Sequence, residues 1–298
     1  MMSTIFTGSA VALVAPMHED GSLDYKAYEV LCKKMIDNNV QALVVNGTTG
    51  EASTLKTAEE LELIRIAKKV ANGKAKIIAG TGSNETEYAV KATLHAQNEG
   101  VDAALIVTPY YNKTSQQGLL EHYLYIADNT NVPIILYNVP SRTGMTISVD
   151  VVAKLAKHPR IVGIKDATGD IGYTMQILAK TRGEDFAVYS GNDDNILPFM
   201  AAGGKGIISV VSNVYPREVE LLTQLILKGD LDQARKLAYD LVDVSAYMFA
   251  DVNPIMPKAA LAKQGICGEA LRRPLIPTTE DKKKLLYDAM DAFEALGY

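Results

Sequence analysis

Short apolar runs alternate along the chain with longer segments in which apolar residues recur at i, i+3 and i+4. The runs fall at residues 9–14, 42–45, 76–79, 103–107, 133–137, 161–165, 186–189 and 206–210, eight in all. They lack a polar face, which predicts strands of a parallel sheet covered on both sides. Residues 25–36, 58–70, 86–97 and 149–156 carry the helical period between them. Eight such units predict an α/β protein, a closed (β/α)8 TIM barrel over residues 1–228. An open doubly wound sheet is the weaker alternative, because no glycine-rich phosphate fingerprint follows the first run. After residue 228 no strand pattern recurs. Residues 230–250, 253–262 and 279–296 read as helices, so a C-terminal helical extension is expected over 229–298. Pro254 and Pro257 should begin or kink the second of these helices, and Thr278 or Thr279 should cap the third.

Composition narrows the function classes. The 298 residues are 48% hydrophobic, enough for a large core, and the net charge is −5. The densest basic run, Lys282-Lys283-Lys284, lies among acidic residues in a helical segment, so nucleic acid is not an expected partner. Cys32 and Cys267 are far apart and match no metal spacing; they read as free thiols in a reducing compartment. The apolar stretch at 10–15 has no basic region before it and reads as a strand, not a signal peptide. No apolar run approaches membrane-spanning length. The expectation is a soluble cytoplasmic protein.

In a barrel of this kind the chemistry comes from the C-terminal strand ends. The most informative is Lys165, which closes the run Ile161-Val162-Gly163-Ile164. An amine placed there, where burial disfavours its charged form, can form a Schiff base with a carbonyl compound. The bland alternative is a lysine that snorkels into water. The strand-end groups Asn46 to Glu51, Thr108 to Asn112, Tyr137-Asn138, Lys165-Asp166 and Ser190 to Asp193 would converge on one pocket around it. Gly47-Thr48-Thr49-Gly50-Glu51 precedes a helical segment, and its amides and hydroxyls suit a carboxylate. A tight turn with a helix cap explains the same residues, with Glu51 as its anchor. Tyr137 stands one strand from Lys165, where a phenol can shuttle protons or merely sit with its hydroxyl satisfied. Of the adjacent Tyr110 and Tyr111, one should face the pocket and the other an interface. Arg142 suits bidentate capture of a carboxylate, although a surface arginine would read the same. Asp166 and Asp170 have no histidine nearby, which argues against a metal site.

Three motifs, Gly47-Thr48-Thr49-Gly50-Glu51, Tyr137-Asn138-Val139-Pro140-Ser141-Arg142-Thr143-Gly144 and Ile164-Lys165-Asp166-Ala167-Thr168-Gly169-Asp170, occur in this order and spacing. With them the chain resembles the pyruvate-dependent class I aldolase superfamily, and within it the dihydrodipicolinate synthase family, over essentially its whole length. The resemblance implies a lyase that condenses pyruvate with L-aspartate 4-semialdehyde on the route to diaminopimelate and L-lysine. It implies that Lys165 carries the Schiff base. Tyr137, Thr48 and Tyr111 would relay protons, with Tyr111 contributed by a neighbouring subunit. Thr49 would hold the pyruvate carboxylate and Arg142 the carboxylate of the semialdehyde. Gly191 and Ile208 would line the pyruvate pocket, with the Ile208 carbonyl facing the lysine. No metal or organic cofactor is implied, and the usual assembly is a homotetramer, a dimer of tight dimers.

Two rival readings share parts of this pattern. N-acetylneuraminate lyases share the fold and the lysine, but usually carry serine where this chain has Thr48 and lack a counterpart of Arg142. A non-catalytic binding protein built on the same barrel would not need Lys165, Tyr137, Thr48 and Tyr111 together. In lysine-inhibited relatives a set of interface residues binds L-lysine. Asn84 and Tyr110 match that set, but Tyr88 replaces a carboxylate beside Glu87, and Thr57 and Glu60 stand where histidines are frequent. Weak or absent lysine feedback is expected, because a buried ammonium loses its charged partner.

Overall fold

The computed structural model of the chain describes residues 4–298. Eight parallel strands close a barrel in sequence order: β1 (Gly8–Ala12), β2 (Ala42–Val45), β3 (Lys76–Gly80), β4 (Ala103–Val107), β5 (Ile134–Asn138), β6 (Ile161–Asp166), β7 (Ala187–Ser190) and β8 (Gly206–Ser209). The (β/α)8 barrel expected from the apolar runs is therefore the observed fold. The β8 strand returns to β1 with Ile208 opposite Ala10, which closes the ring.

One helix or more follows each strand: α1 (Tyr25–Asp37), α2 (Thr57–Ala71), α3 (Thr86–Asn98), α4 (Gln116–Asp128), the short α5 (Pro140–Thr143), α6 (Val149–Leu155), α7 (Ile171–Lys180), α8 (Ile196–Ala201) and α9 (Pro216–Leu227). Polar residues start several of them by accepting from first-turn amides: Asp24 from Lys26 and Ala27, Ser115 from Gly118, Ser148 from Val151 and Asp170 from Tyr173. The last four helices are α10 (Leu231–Asp240), α11 (Val242–Met248), α12 (Ile255–Lys263) and α13 (Glu280–Glu294). The single helix expected at 230–250 is thus two, divided at Leu241. Pro254 stands just before α12 and Pro257 lies within its first turn, positions where proline costs no helical hydrogen bond. Thr279 occupies the cap position of α13, but its side chain accepts no bond there.

Two apolar layers result. The larger fills the space between strands and helices. The smaller fills the barrel, where Ala10, Ala12, Ala42 and Ala103 leave room for Tyr137, Tyr189 and Phe6. Phe6 stacks on Tyr189 with ring centroids 4.2 Å apart, and the Tyr189 hydroxyl donates to the Phe6 carbonyl at 2.9 Å. This pair fills the barrel below the C-terminal strand ends. No helix among the described residues is long and apolar enough to cross a membrane.

Candidate active site

Strand register brings the key side chains together. Lys165 on β6 pairs with Tyr137 on β5 and with Tyr189 on β7. Lys165 is 5% exposed. Its Nζ stands 4.5 Å from the centroid of the Tyr137 ring. Among the described residues no carboxylate oxygen comes within ion-pair distance of its Nζ. The snorkelling alternative does not describe this side chain. Gly191 follows β7 and makes room for the lysine stem: a Cβ there would lie 3.0 Å from Lys165 Cε and 2.7 Å from Ala167 Cβ. Ile208 is fully buried on β8 and belongs to the same interior cluster as Tyr137 and Tyr189.

Not every polar strand end faces this centre. Side chains alternate along a strand, so neighbours of an inward residue point elsewhere. Asn138 donates to the Tyr173 hydroxyl and accepts from the Ile147 amide. Asp166 accepts from the Thr168 amide and the Thr174 hydroxyl, and Asp170 caps α7. Ser190 donates to Asn192 and Asn195. Ser209 donates to Asp193, whose other oxygen accepts the Val210 amide at 2.9 Å. These groups brace the loops instead of converging on the lysine. Burial pushes both Asp166 and Asp193 above the usual carboxylate range, against the pull of those hydrogen bonds.

The turn after β2 is built from two short 3-10 turns, Thr48–Gly50 and Ala52–Thr54, joined by Glu51 in the left-handed region at φ 54. The helix expected over 58–70 follows as α2, from Thr57. The Gly50 and Glu51 amides bond back to Gly47 and Thr48. The amides of Thr48 and Thr49 open the first turn, where no intrahelical acceptor exists. The Thr49 hydroxyl accepts from Asn253 Nδ2 at 2.9 Å, which directs its own proton elsewhere. Glu51 anchors the turn, as the sequence suggested, through partners that lie far along the chain. Lys258 of α12, with no exposed surface, places Nζ 2.5 Å from Glu51 Oε1, and the Arg272 amide donates to Oε2 at 2.9 Å. Burial lowers the affinity of Lys258 for its proton, and the Glu51 charge opposes that. Arg272 also grips Glu59 with both terminal nitrogens and holds its carboxyl down to about 2.

A cavity of about 490 Å³ opens at this end of the barrel, lined by Thr48, Tyr110, Tyr137, Arg142 and Asn253 among others. Lys165, Thr49, Gly191 and Ile208 are not on its wall; Lys165 meets it through the Tyr137 ring. Arg142, exposed on α5, donates from Nη2 to the Asn253 carbonyl at 3.1 Å. The adjacent tyrosines point in different directions: Tyr110 lines the cavity, whereas Tyr111 is 92% exposed and held at φ 68. Within one protomer Tyr111 is therefore not part of the cavity wall.

Asn253, Lys258 and Arg272 were not singled out by the sequence. Asn253-Pro254 and the segment around Arg272 read as helix boundaries, and nothing local shows that they fold back onto the turn after β2. The signal available was Lys258 itself, a lone charge within the otherwise uncharged, mostly apolar residues 254–262.

A profile of the dihydrodipicolinate synthetase family matches residues 5–293. A protein of Exiguobacterium sibiricum described as 4-hydroxy-tetrahydrodipicolinate synthase is 44% identical over 292 residues, covering 98% of this chain and 99% of the relative. Another, from an Exiguobacterium species, is 46% identical over 97% and 98% of the two chains. The solved structure of the chloride-inhibited dihydrodipicolinate synthase of Acinetobacter baumannii, complexed with pyruvate, superposes with a TM-score of 0.95. It is 41% identical, and the match covers 98% of this chain and 99% of that one.

Proposed function

The chain belongs to the dihydrodipicolinate synthetase family, and from that premise we infer that it catalyses the reaction of its 4-hydroxy-tetrahydrodipicolinate synthase relatives. Pyruvate condenses through a Schiff base with L-aspartate 4-semialdehyde, in the diaminopimelate and L-lysine pathway. The observation that carries the assignment to residues is Lys165: a buried amine inside the barrel mouth, beside a tyrosine ring, with a glycine where a Cβ would crowd its stem and clash with Ala167.

In this reading the Lys165 amine attacks C2 of pyruvate, and the carbinolamine loses water to leave an iminium. The Thr49 hydroxyl and the Thr48 and Thr49 amides hold the pyruvate carboxylate. The iminium withdraws electrons, so the methyl group gives up a proton and becomes an enamine. The enamine carbon bonds to the aldehyde carbon of the second substrate, whose oxygen takes a proton. Tyr137 and Thr48, which share the cavity wall, move these protons together with Tyr111. The amine of the second substrate then displaces Lys165 by transimination. That step closes the ring and returns the free lysine. Arg142 binds the carboxylate of the semialdehyde.

Tyr111 supports an assembly in which a neighbouring subunit completes the relay. Its ring is 92% exposed and its backbone is held at φ 68, which leaves the phenol available to a neighbouring chain. Tyr88 and Tyr110 are also partly exposed. The proposed assembly is a homotetramer built from two tight dimers, in the cytoplasm.

The test is turnover against the rival substrate class. Consumption of L-aspartate 4-semialdehyde in the presence of pyruvate, without cleavage of sialic acid, is the expected result. Sialic acid cleavage without semialdehyde turnover contradicts the assignment.

A further inference from the structure

Strand β6 breaks an alternation that its neighbours keep. On β5, Ile134 and Leu136 belong to the outer apolar layer, whereas Ile135 and Tyr137 belong to the barrel interior. On β7, Ala187 and Tyr189 face the interior and Val188 the outer layer. Strict alternation on β6 would send Ile161, Gly163 and Lys165 to one face. Ile161 lies in the outer layer, so Lys165 would then point toward the helices. Instead Ile161 and Ile164 are both outward, three residues apart, and Lys165 pairs with the inward Tyr137 and Tyr189. The pairing with β5 shows the cause. Ile134 pairs with Ile161 and Ile135 with Gly163, so Val162 is an extra residue in the ladder, a β-bulge. Val162 belongs to the interior cluster and Gly163 pairs with the inward Ala187. Two successive residues of β6 therefore take the interior face opposite the single Ile135.

Bulges are rare in parallel sheets, and beside active sites they re-aim side chains. We propose that this bulge aims Lys165 into the barrel, and that Gly163 is the positioning residue that permits it. A Cβ at residue 163 would lie 2.6 Å from the Ala187 carbonyl oxygen and 3.4 Å from Tyr189 Cε2. The first of these is a backbone atom that cannot swing aside. A side chain at 163 therefore pushes the extra residue off the interior face, and the register beyond it slips. A slip of one residue exchanges the faces of every side chain that follows. Lys165 would leave the Tyr137 ring for the outer layer, and a neighbour, Ile164 or Asp166, would enter the barrel. This role rests on the Schiff-base reading above and extends it to what orients the amine. It also accounts for a glycine inside an apolar strand, where glycine is otherwise weakening.

The test compares the wild type, Gly163→Ala and a variant with Gly163 deleted. Deletion leaves Ile161-Val162-Ile164-Lys165, which alternates outward and inward with no bulge and keeps Lys165 inward. Each protein is incubated with pyruvate and borohydride, the adduct on Lys165 is followed by peptide mass spectrometry, and folding is checked by circular dichroism and urea unfolding. Gly163→Ala should fold but form the adduct about a hundredfold more slowly, the penalty for misplacing a reacting group by roughly 1 Å. The deletion variant should form it within about tenfold of the wild-type rate, because its amine keeps the reactive placement. Losing the residue should thus do less harm than adding one methyl group to it. A folded Gly163→Ala that traps pyruvate at the wild-type rate overturns the proposal. A folded deletion variant without the adduct overturns it too, leaving Gly163 as a packing residue. If only one variant folds, its adduct decides by the same criterion. If neither folds, Gly163 serves the barrel as a whole and the positioning role is overturned. A wild type that forms no adduct marks failure of the Schiff-base reading instead, which is separable from all of these outcomes.

Discussion

The buried pair of Glu51 and Lys258 shows why the turn after β2 holds its shape. Glu51 adopts left-handed backbone, a conformation a non-glycine residue keeps only when its surroundings enforce it. The enforcement comes from Lys258 Nζ at 2.5 Å and the Arg272 amide at 2.9 Å. Removing the cation alone would strand a buried carboxylate. Lys258→Met should therefore destabilise the protein by about 3–5 kcal/mol, read as a shift of the denaturant midpoint. Adding Glu51→Gln should recover part of the loss, since no charge then lacks a partner. A single variant as stable as the wild type would show that the pair does not brace the turn. Lys165 and its neighbours were legible in the sequence, because a charge at the end of an apolar run is conspicuous. Asn253 and Lys258 were not, because their partners lie more than 200 residues away in the chain and no local pattern records a long-range contact.

At the scale of elements, all eight strands were legible; β2 and β4 kept their expected bounds and the ends of the other six shifted by a residue or two. Period and β-propensity locate a strand, while pairing with neighbours decides where the ladder stops. The division of 230–250 into α10 and α11 was not legible, because the apolar period continues through the break. The helix α4 offers a pH test. His122 on that helix is buried, its Nδ1 lies 2.9 Å from the Thr86 hydroxyl, and its Nε2 has no partner among the described residues. Burial pushes the imidazole down to about 4 from its ordinary 6.5. Between those values the unfolded chain binds the proton and the folded chain does not. Stability from this group is fully present above 6.5 and is lost as pH falls toward 4. Urea unfolding at pH 7.5 and pH 5 should show a smaller acid-induced loss for His122→Asn than for the wild type. Equal losses would place the acid sensitivity elsewhere.

For the whole molecule, the barrel brings strand ends from across the sequence to one mouth, and the chain after α9 folds back to complete that mouth. The architecture was legible because eight repeats of one unit admit few closed arrangements. The expected convergence of every polar strand end was not met, because alternation along a strand sends half of those side chains to brace loops. Tyr111 belongs to this scale, since its ring is exposed and off the cavity wall. A Tyr111→Phe variant mixed with a Tyr137→Phe variant should regain part of the lost activity if subunits share sites. Mixtures no better than the separate variants would contradict sharing. The central claim is that Lys165 bonds covalently to pyruvate, and trapping tests it most directly. Incubation with pyruvate and borohydride, followed by peptide mass spectrometry, should show a reduced pyruvyl adduct on Lys165 that is absent in Lys165→Ala. An unmodified Lys165, or an adduct on another lysine, would contradict the account.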